Sequence, residues 1–226
     1  MPENQSYTEE IPRKRLERFA ESCRDVVRHG LVFCSSGNAS QREGEDLMLA
    51  TSTRTWLEEI EPDQVAICRI SDGECLNGLY PTVELGFHAG ILRKRPDVDV
   101  VLHVQTPYAT ALGCLPSRPW NFHVIPEVPY YIGDIGRVDY SAPGSFELAE
   151  AVSRAVETYD LVLMENHGST VVGQTFRDAI QKASFFELAC QILLLGGDRT
   201  RPIPEREIQS LLELQQRRRQ ASQLGA

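Results

Sequence analysis

One short segment limits what this chain can become more than any other: Val100-Val101-Leu102-His103-Val104-Gln105-Thr106. Three valines and a leucine around a single imidazole read as a buried strand, because β-branched side chains fit a pleated, covered surface. Side chains alternate across a strand, so His103 and Gln105 point the same way. A His-x-His pair in that setting is a metal clamp. His-x-Gln keeps the geometry and weakens one donor, since a glutamine carbonyl is neutral and a poorer zinc ligand than imidazole.

Helical and extended patterns interleave on both sides of this segment. An apolar stripe at Leu16, Phe19, Ala20, Cys23, Val26 and Val27 predicts a helix from Pro12 to His29-Gly30, where glycine stops it. Asp46 to Thr51 and Gln64 to Ile70 read as strands, with Ser71-Asp72-Gly73 as a hairpin turn. Thr82 is the expected N-cap of a helix running to about Arg95, which Pro96-Asp97 ends. Tyr108 to Cys114 suits a short helix. Residues 116 to 146, rich in Pro, Gly and aromatics, are expected to form loops and short strands. Gly144-Ser145 opens another helix. Leu161 to Met164 is a strand, Glu165-Asn166-His167-Gly168 a polar turn, and Thr170 to Gly173 a second short strand. An apolar-faced helix from Phe176 to Leu195 follows, then a polar helix opened by Pro204. This interleaving, without repeat or linker, predicts one α/β or α+β domain over residues 11–220, behind a disordered leader over residues 1–10.

Composition removes several function classes. The 226 residues allow one large domain with its own core. A net charge of -9 argues against broad binding to nucleic acid or anionic membrane. The basic run Arg217-Arg218-Arg219 reads as a solvated helix end. The six cysteines form no Cys-x-x-Cys pair, so reduced thiols and a cytoplasmic setting are expected. Pro2 to Arg18 is too polar for a signal peptide, and no apolar run approaches the roughly 20 residues that span a bilayer. The expected partner is a small molecule.

Of the five histidines, His29 sits at a helix end as a surface cap, and His123 has no role assignable from sequence. His88 lies four residues after Glu84 on one helix face, where a structural hydrogen bond is expected. His103 and His167 remain. His167 stands in Asn-His-Gly just past an apolar strand, a polar turn whose glycine permits close approach. Taken singly, each is better read as a satisfied structural residue. Together with Glu84 at a helix start, they supply the three protein ligands that catalytic zinc sites take, leaving one position open.

A wider pattern joins these residues. Ser36-Gly37-Asn38-Ala39-Ser40, Thr51 to Asp63, Pro81-Thr82-Val83-Glu84, Arg95-Pro96-Asp97-Val98 running into His103, Tyr140 to Ser145, and Asn166-His167-Gly168 occur in an order and spacing that resemble the class II aldolase/adducin family. The resemblance spans roughly residues 12 to 200. It implies a central, largely antiparallel sheet between helical layers, a three-layer architecture assembled as a homotetramer. It implies that Gly37 and Asn38 lie in a loop receiving a phosphate or other anion, for which backbone N–H groups are suited. Thr53 and Thr82 would offer hydroxyls to the same anion. Glu84 would bind metal and act as acid/base, and His103 and His167 would be two metal histidines. Tyr140 would cross a subunit interface to protonate an intermediate; a packed loop tyrosine is the plain alternative. The implied cofactor is a divalent metal, zinc first, then manganese or cobalt. The implied reaction is aldol cleavage or formation in a small hydroxy-carbonyl substrate.

The chain departs from the family at four points. Gln105 replaces a metal histidine, leaving a weak ligand. Arg54 replaces a glycine, adding either a planar donor for carboxylate or phosphate or a plain surface residue. Val83 replaces a serine that would bond phosphate, and no tyrosine follows Tyr159. The alternatives are a non-catalytic, adducin-like binding or scaffold protein, and a decarboxylase, epimerase or dehydratase sharing the site.

Overall fold

The computed structural model describes residues 11–116 and 120–224. The expected leader over residues 1–10 and the side chains of Arg218 and Arg219 lie outside the described residues.

Helix α1 (Arg13–Arg28) starts after Pro12, whose extended backbone cannot continue a helix backwards, and buries Phe19, Ala20, Cys23 and Val26. It stops at Gly30, where φ is +70°. Phe19 meets Phe176 edge-on at 5.6 Å. Burying one such ring contributes about 1.5–3 kcal/mol.

Seven strands make one sheet: β1 (Asn38–Glu43), β2 (Leu47–Thr51), β3 (Val65–Arg69), β4 (Val100–Val104), β5 (Gly136–Val138), β6 (Leu161–Met164) and β7 (Gly168–Gly173). Their spatial order is β3-β2-β1-β4-β7-β6-β5. Every neighbouring pair is antiparallel except β5–β6. The sheet is therefore the largely antiparallel one expected. The valine-rich segment becomes β4, the middle strand, buried along its whole length.

Alternation along β4 divides the core. Val100, Leu102 and Val104 join one apolar cluster with α1, α3 (Pro107–Cys114) and α5 (Phe176–Gly196). Val101 joins the other, with α2 (Leu85–Lys94) and α4 (Phe146–Ala155). A sheet with helices on both faces results, with α6 (Glu205–Leu224) following Pro204. His103, in phase with Val101, faces the α2 layer.

By length and composition, Phe176–Arg199 could cross a bilayer, at a mean hydropathy of 1.2. Its face carrying Ala179, Ala183, Phe186 and Cys190 is core. Lys182, on the same helix, is buried between Asp160 at 3.2 Å and Asp178 at 3.0 Å.

Three details differ from expectation. Asn38–Glu43 is a strand, although its sequence has only Ala39 as an apolar residue and so no visible alternation. Helix α2 has Glu84, not Thr82, at the N-cap position. The Thr82 hydroxyl instead accepts the Glu84 N–H at 3.3 Å, closing a turn before the helix begins. Val128–Ile132 forms a π-helical turn within the stretch expected to be loop.

Candidate metal centre

Three separate elements bring the site together. Glu84 stands at the head of α2, His103 is the fourth residue of β4, and His167 lies in the turn between β6 and β7. That turn is tightly built. Asn166 takes φ +53°, its N–H donates to the Gly113 carbonyl at 3.1 Å, and the His167 N–H reaches Met164 O at 3.4 Å. A Cβ on Gly168 would stand 2.5 Å from the Val104 carbonyl, so only glycine lets β7 run this close to β4. Gly37 is similarly constrained, with φ +103° and 2.9 Å between its would-be Cβ and the His103 carbonyl.

All three side chains are buried, and their ligand atoms lie within 4.8 Å of one another. His103 Nε2 is 3.5 Å from Glu84 Oε2, and His167 Nε2 is 3.2 Å from Glu84 Oε1. Zinc–ligand distances of about 2.0–2.1 Å in tetrahedral geometry separate neighbouring donors by about 3.4 Å. The donor spacing therefore fits a small divalent cation.

Protonation supports the same fit. His103 Nδ1 lies 3.0 Å from the Ser169 carbonyl. A carbonyl only accepts, so Nδ1 carries the proton and Nε2 is left with its lone pair. That Nε2, Glu84 Oε1 and His167 Nδ1 are buried and make no hydrogen bond. The short His167–Glu84 approach has the distance of an ion pair but not the angles of a hydrogen bond. Burial lowers the His167 pKa first, the nearby His103 lowers it further, and Glu84 pulls the other way. The net direction keeps His167 neutral, as a metal ligand must be. His103 Nε2 and Glu84 Oε1 thus keep unpartnered lone pairs at the site, as ligands of a cation would.

Around this trio lies a cavity of about 400 Å³. Its walls include Gly37, Asn38, Thr53, Arg54, Thr82, Glu84, His103, Gln105 and His167. Nine residues singled out from the sequence thus share one pocket. Gln105 is in the wall, one position beyond the end of β4. Arg54 is exposed, holds φ +60°, and is the one cationic side chain among the described lining residues. Tyr140 does not line it. The residue is 60% exposed, and Pro143 is the wall residue from its loop.

The side chain of Asn38 is engaged within the protein, apart from the backbone role expected of its loop. Its amide nitrogen donates to Glu84 Oε2 at 2.8 Å, and its carbonyl lies 2.6 Å from His88 Nε2. That side chain is committed within the protein, so Arg54, Thr53 and Thr82 carry the polar wall. Ser52, Thr55, Pro143 and Asn166, given no role of their own from the sequence, also line the cavity; Asn166, beside His167, is the one with a readable signal. His29 is the cap expected, with Nδ1 2.8 Å from Asp25 O. His123 approaches Asp134 at 3.5 Å, away from this pocket.

Known proteins resemble this chain along most of its length. The family described as Class II Aldolase and Adducin N-terminal domain matches residues 17–194. A 3-oxo-tetronate 4-phosphate decarboxylase of Pectobacterium atrosepticum is 30% identical over 75% of this chain and 79% of its own. An L-fuculose phosphate aldolase of Methanocaldococcus jannaschii is 31% identical over 80% of this chain and 96% of its own. Among solved structures, Escherichia coli YgbL, described as an aldolase, epimerase or decarboxylase, superimposes with a TM-score of 0.82 at 26% identity, covering 88% of this chain and 98% of that one.

Proposed function

The chain belongs to the class II aldolase and adducin family, and we propose that it is a metal-dependent lyase that breaks a C–C bond beside the carbonyl of a small phosphorylated hydroxy-carbonyl compound. Class II aldolases use a divalent metal, and the family binds sugar-phosphate-like substrates. The observation that carries the proposal is the convergence of Glu84, His103 and His167 within 4.8 Å on the wall of a pocket that also holds Arg54, Thr53 and Thr82.

Glu84, His103 and His167 would hold the cation, zinc first and manganese or cobalt next, with Gln105 as a weak fourth donor. When bound, it supplies Lewis acidity that stabilises negative charge on an enediolate. The residues of the chain do the rest. Arg54 pairs with the substrate anion, and Thr53, Thr82 and the Gly37 backbone orient it. Glu84 takes the proton of the hydroxyl carried by the far carbon of the breaking bond, the carbon that becomes the aldehyde. The bond's electron pair moves toward the carbonyl, and an aldehyde leaves. Tyr140, presented by a second copy in a homotetramer, returns a proton to carbon. Its exposure suits that role. A cytoplasmic setting suits the free thiols.

Decarboxylation is the second reading, favoured by the likeness to 3-oxo-tetronate 4-phosphate decarboxylase. Loss of CO2 from a 2-hydroxy-3-oxo acid also leaves an enediolate, so the same site serves both, and only the leaving fragment differs. The test is to load metal-free protein with zinc, manganese or cobalt and offer a ketose 1-phosphate and a 3-oxo-tetronate 4-phosphate. Aldehyde release supports the aldolase, and CO2 release the decarboxylase. Glu84→Gln should lower turnover at least 100-fold, the scale of a lost acid/base group, with the fold intact. Failure to bind any of the three metals would leave only the binding-protein reading.

A further inference from the structure

The carboxylate of Glu84 is aimed by a line of three buried side chains that begins at Ser40. Ser40 Oγ lies 2.8 Å from His88 Nδ1, His88 Nε2 lies 2.6 Å from Asn38 Oδ1, and Asn38 Nδ2 donates to Glu84 Oε2 at 2.8 Å. Every role along this line is forced. An ionised carboxylate only accepts, so Asn38 must turn its NH₂ toward Glu84 and its carbonyl toward His88. That carbonyl also only accepts, so His88 must carry its proton on Nε2. The bare Nδ1 then accepts a hydrogen bond from the Ser40 hydroxyl. Reversing any one link would set two donors or two acceptors face to face where water does not reach.

The framework holds this line still. Asn38 and Ser40 are two apart on β1, so both face the α2 layer, and His88 follows Glu84 by one turn of α2. Ser40 and His88 are fully buried. The His88 ring stacks on Phe87 at 4.7 Å, and Phe87 in turn meets the His103 ring edge-on at 6.1 Å. Burial pushes the His88 pKa down to about 3, so the ring stays neutral in the tautomer the line requires.

We infer that His88 is a positioning residue for Glu84, which, acting through Asn38, ties down Oε2 and leaves Oε1 free beside His167 as the oxygen offered to the cation. The inference rests on reading Glu84 as a metal ligand. It assigns His88 a role that contact with substrate or metal would not reveal, since His88 touches neither.

Zinc alone, titrated into metal-free protein against a chelating dye, tests it. His88→Leu should weaken zinc binding about 10–100-fold, as loss of a partner behind a ligand does. His88→Gln, whose amide nitrogen can donate to Asn38, should recover most of that loss. Wild-type affinity in a folded His88→Leu variant would overturn the inference, as would a His88→Gln variant no better than His88→Leu. A wild-type chain that binds no zinc would instead bring down the metal reading, and this inference with it; the wild-type titration tells the two failures apart. If His88→Leu does not fold, the ¹H–¹⁵N spectrum of the wild-type imidazole decides. A proton on Nε2 is expected, and one on Nδ1 would overturn the inference.

Discussion

Acid should unfold this chain through His88, and the effect can be isolated. In the unfolded chain an imidazole titrates near 6.5, while burial holds that of His88 at about 3 in the fold. Between those values the unfolded state binds a proton that the folded state refuses. Stability therefore falls as pH drops below about 6.5, by about 1.4 kcal/mol per unit, and the loss levels off below about 3. From pH 6.5 to 4.5 the share of this one group is about 2 kcal/mol, a sizeable part of a total of about 5–15 kcal/mol. Urea unfolding of wild type and His88→Gln at pH 6.5, 5.5 and 4.5, without metal, measures it. The surface carboxylates and His167 titrate in both proteins and cancel in the difference. The stability advantage of wild type should shrink as pH falls, approaching about 1.4 kcal/mol per unit at the acid end. Parallel pH profiles for the two proteins would refute the reasoning and mean that water reaches His88.

Two further outcomes concern other parts of the molecule. Asp160 lies between Arg95 at 3.0 Å and Lys182 at 3.2 Å, all nearly solvent-free; Asp160→Ala should cost about 3–5 kcal/mol in chemical denaturation, toward the lower end because Asp97 and Asp178 still face the two cations. Gln105→His should tighten zinc binding in the dye titration, since imidazole is the stronger donor, and unchanged affinity would put residue 105 off the metal.

How much of this was legible beforehand depended on the distance over which each residue acts. The β4 strand was readable because Val100, Val101, Leu102 and Val104 declare their burial locally. Helix α1 was readable because its stripe repeats every turn. Strand β1 was hidden. Asn38-Ala39-Ser40-Gln41-Arg42-Glu43 shows no apolar alternation, since its α2-facing positions carry Asn38 and Ser40, polar residues satisfied by His88. Burial by polar partners leaves no period in the sequence. Thr82 misled for a related reason: its hydroxyl can close either a turn or a helix cap, and only the later path of the chain decides which. At the site, Glu84, His103 and His167 were found, and their shared pocket with Arg54, Thr53 and Thr82 followed. The Asn38–His88 contact was not, because its partners are 50 residues apart and each has an innocent local reading: a loop amide and a helical histidine.

The pairing of Asn38 with His103 across β1 and β4 makes the centre sensitive to how the sheet is assembled. A slip of one residue between these strands would turn Asn38 and Ser40 to the opposite layer and bring Ala39 and Gln41 in their place. His88 would lose both partners, and Glu84 its guide. An ion at Glu84 and His103 would therefore favour one alignment of the two strands over its neighbours, by about 1.3–2.3 kcal/mol at a hundredfold excess over its dissociation constant when the slipped site binds 10–100-fold more weakly. The centre would then proofread strand pairing in the middle of the sheet, where β1 carries too few apolar residues to do so alone.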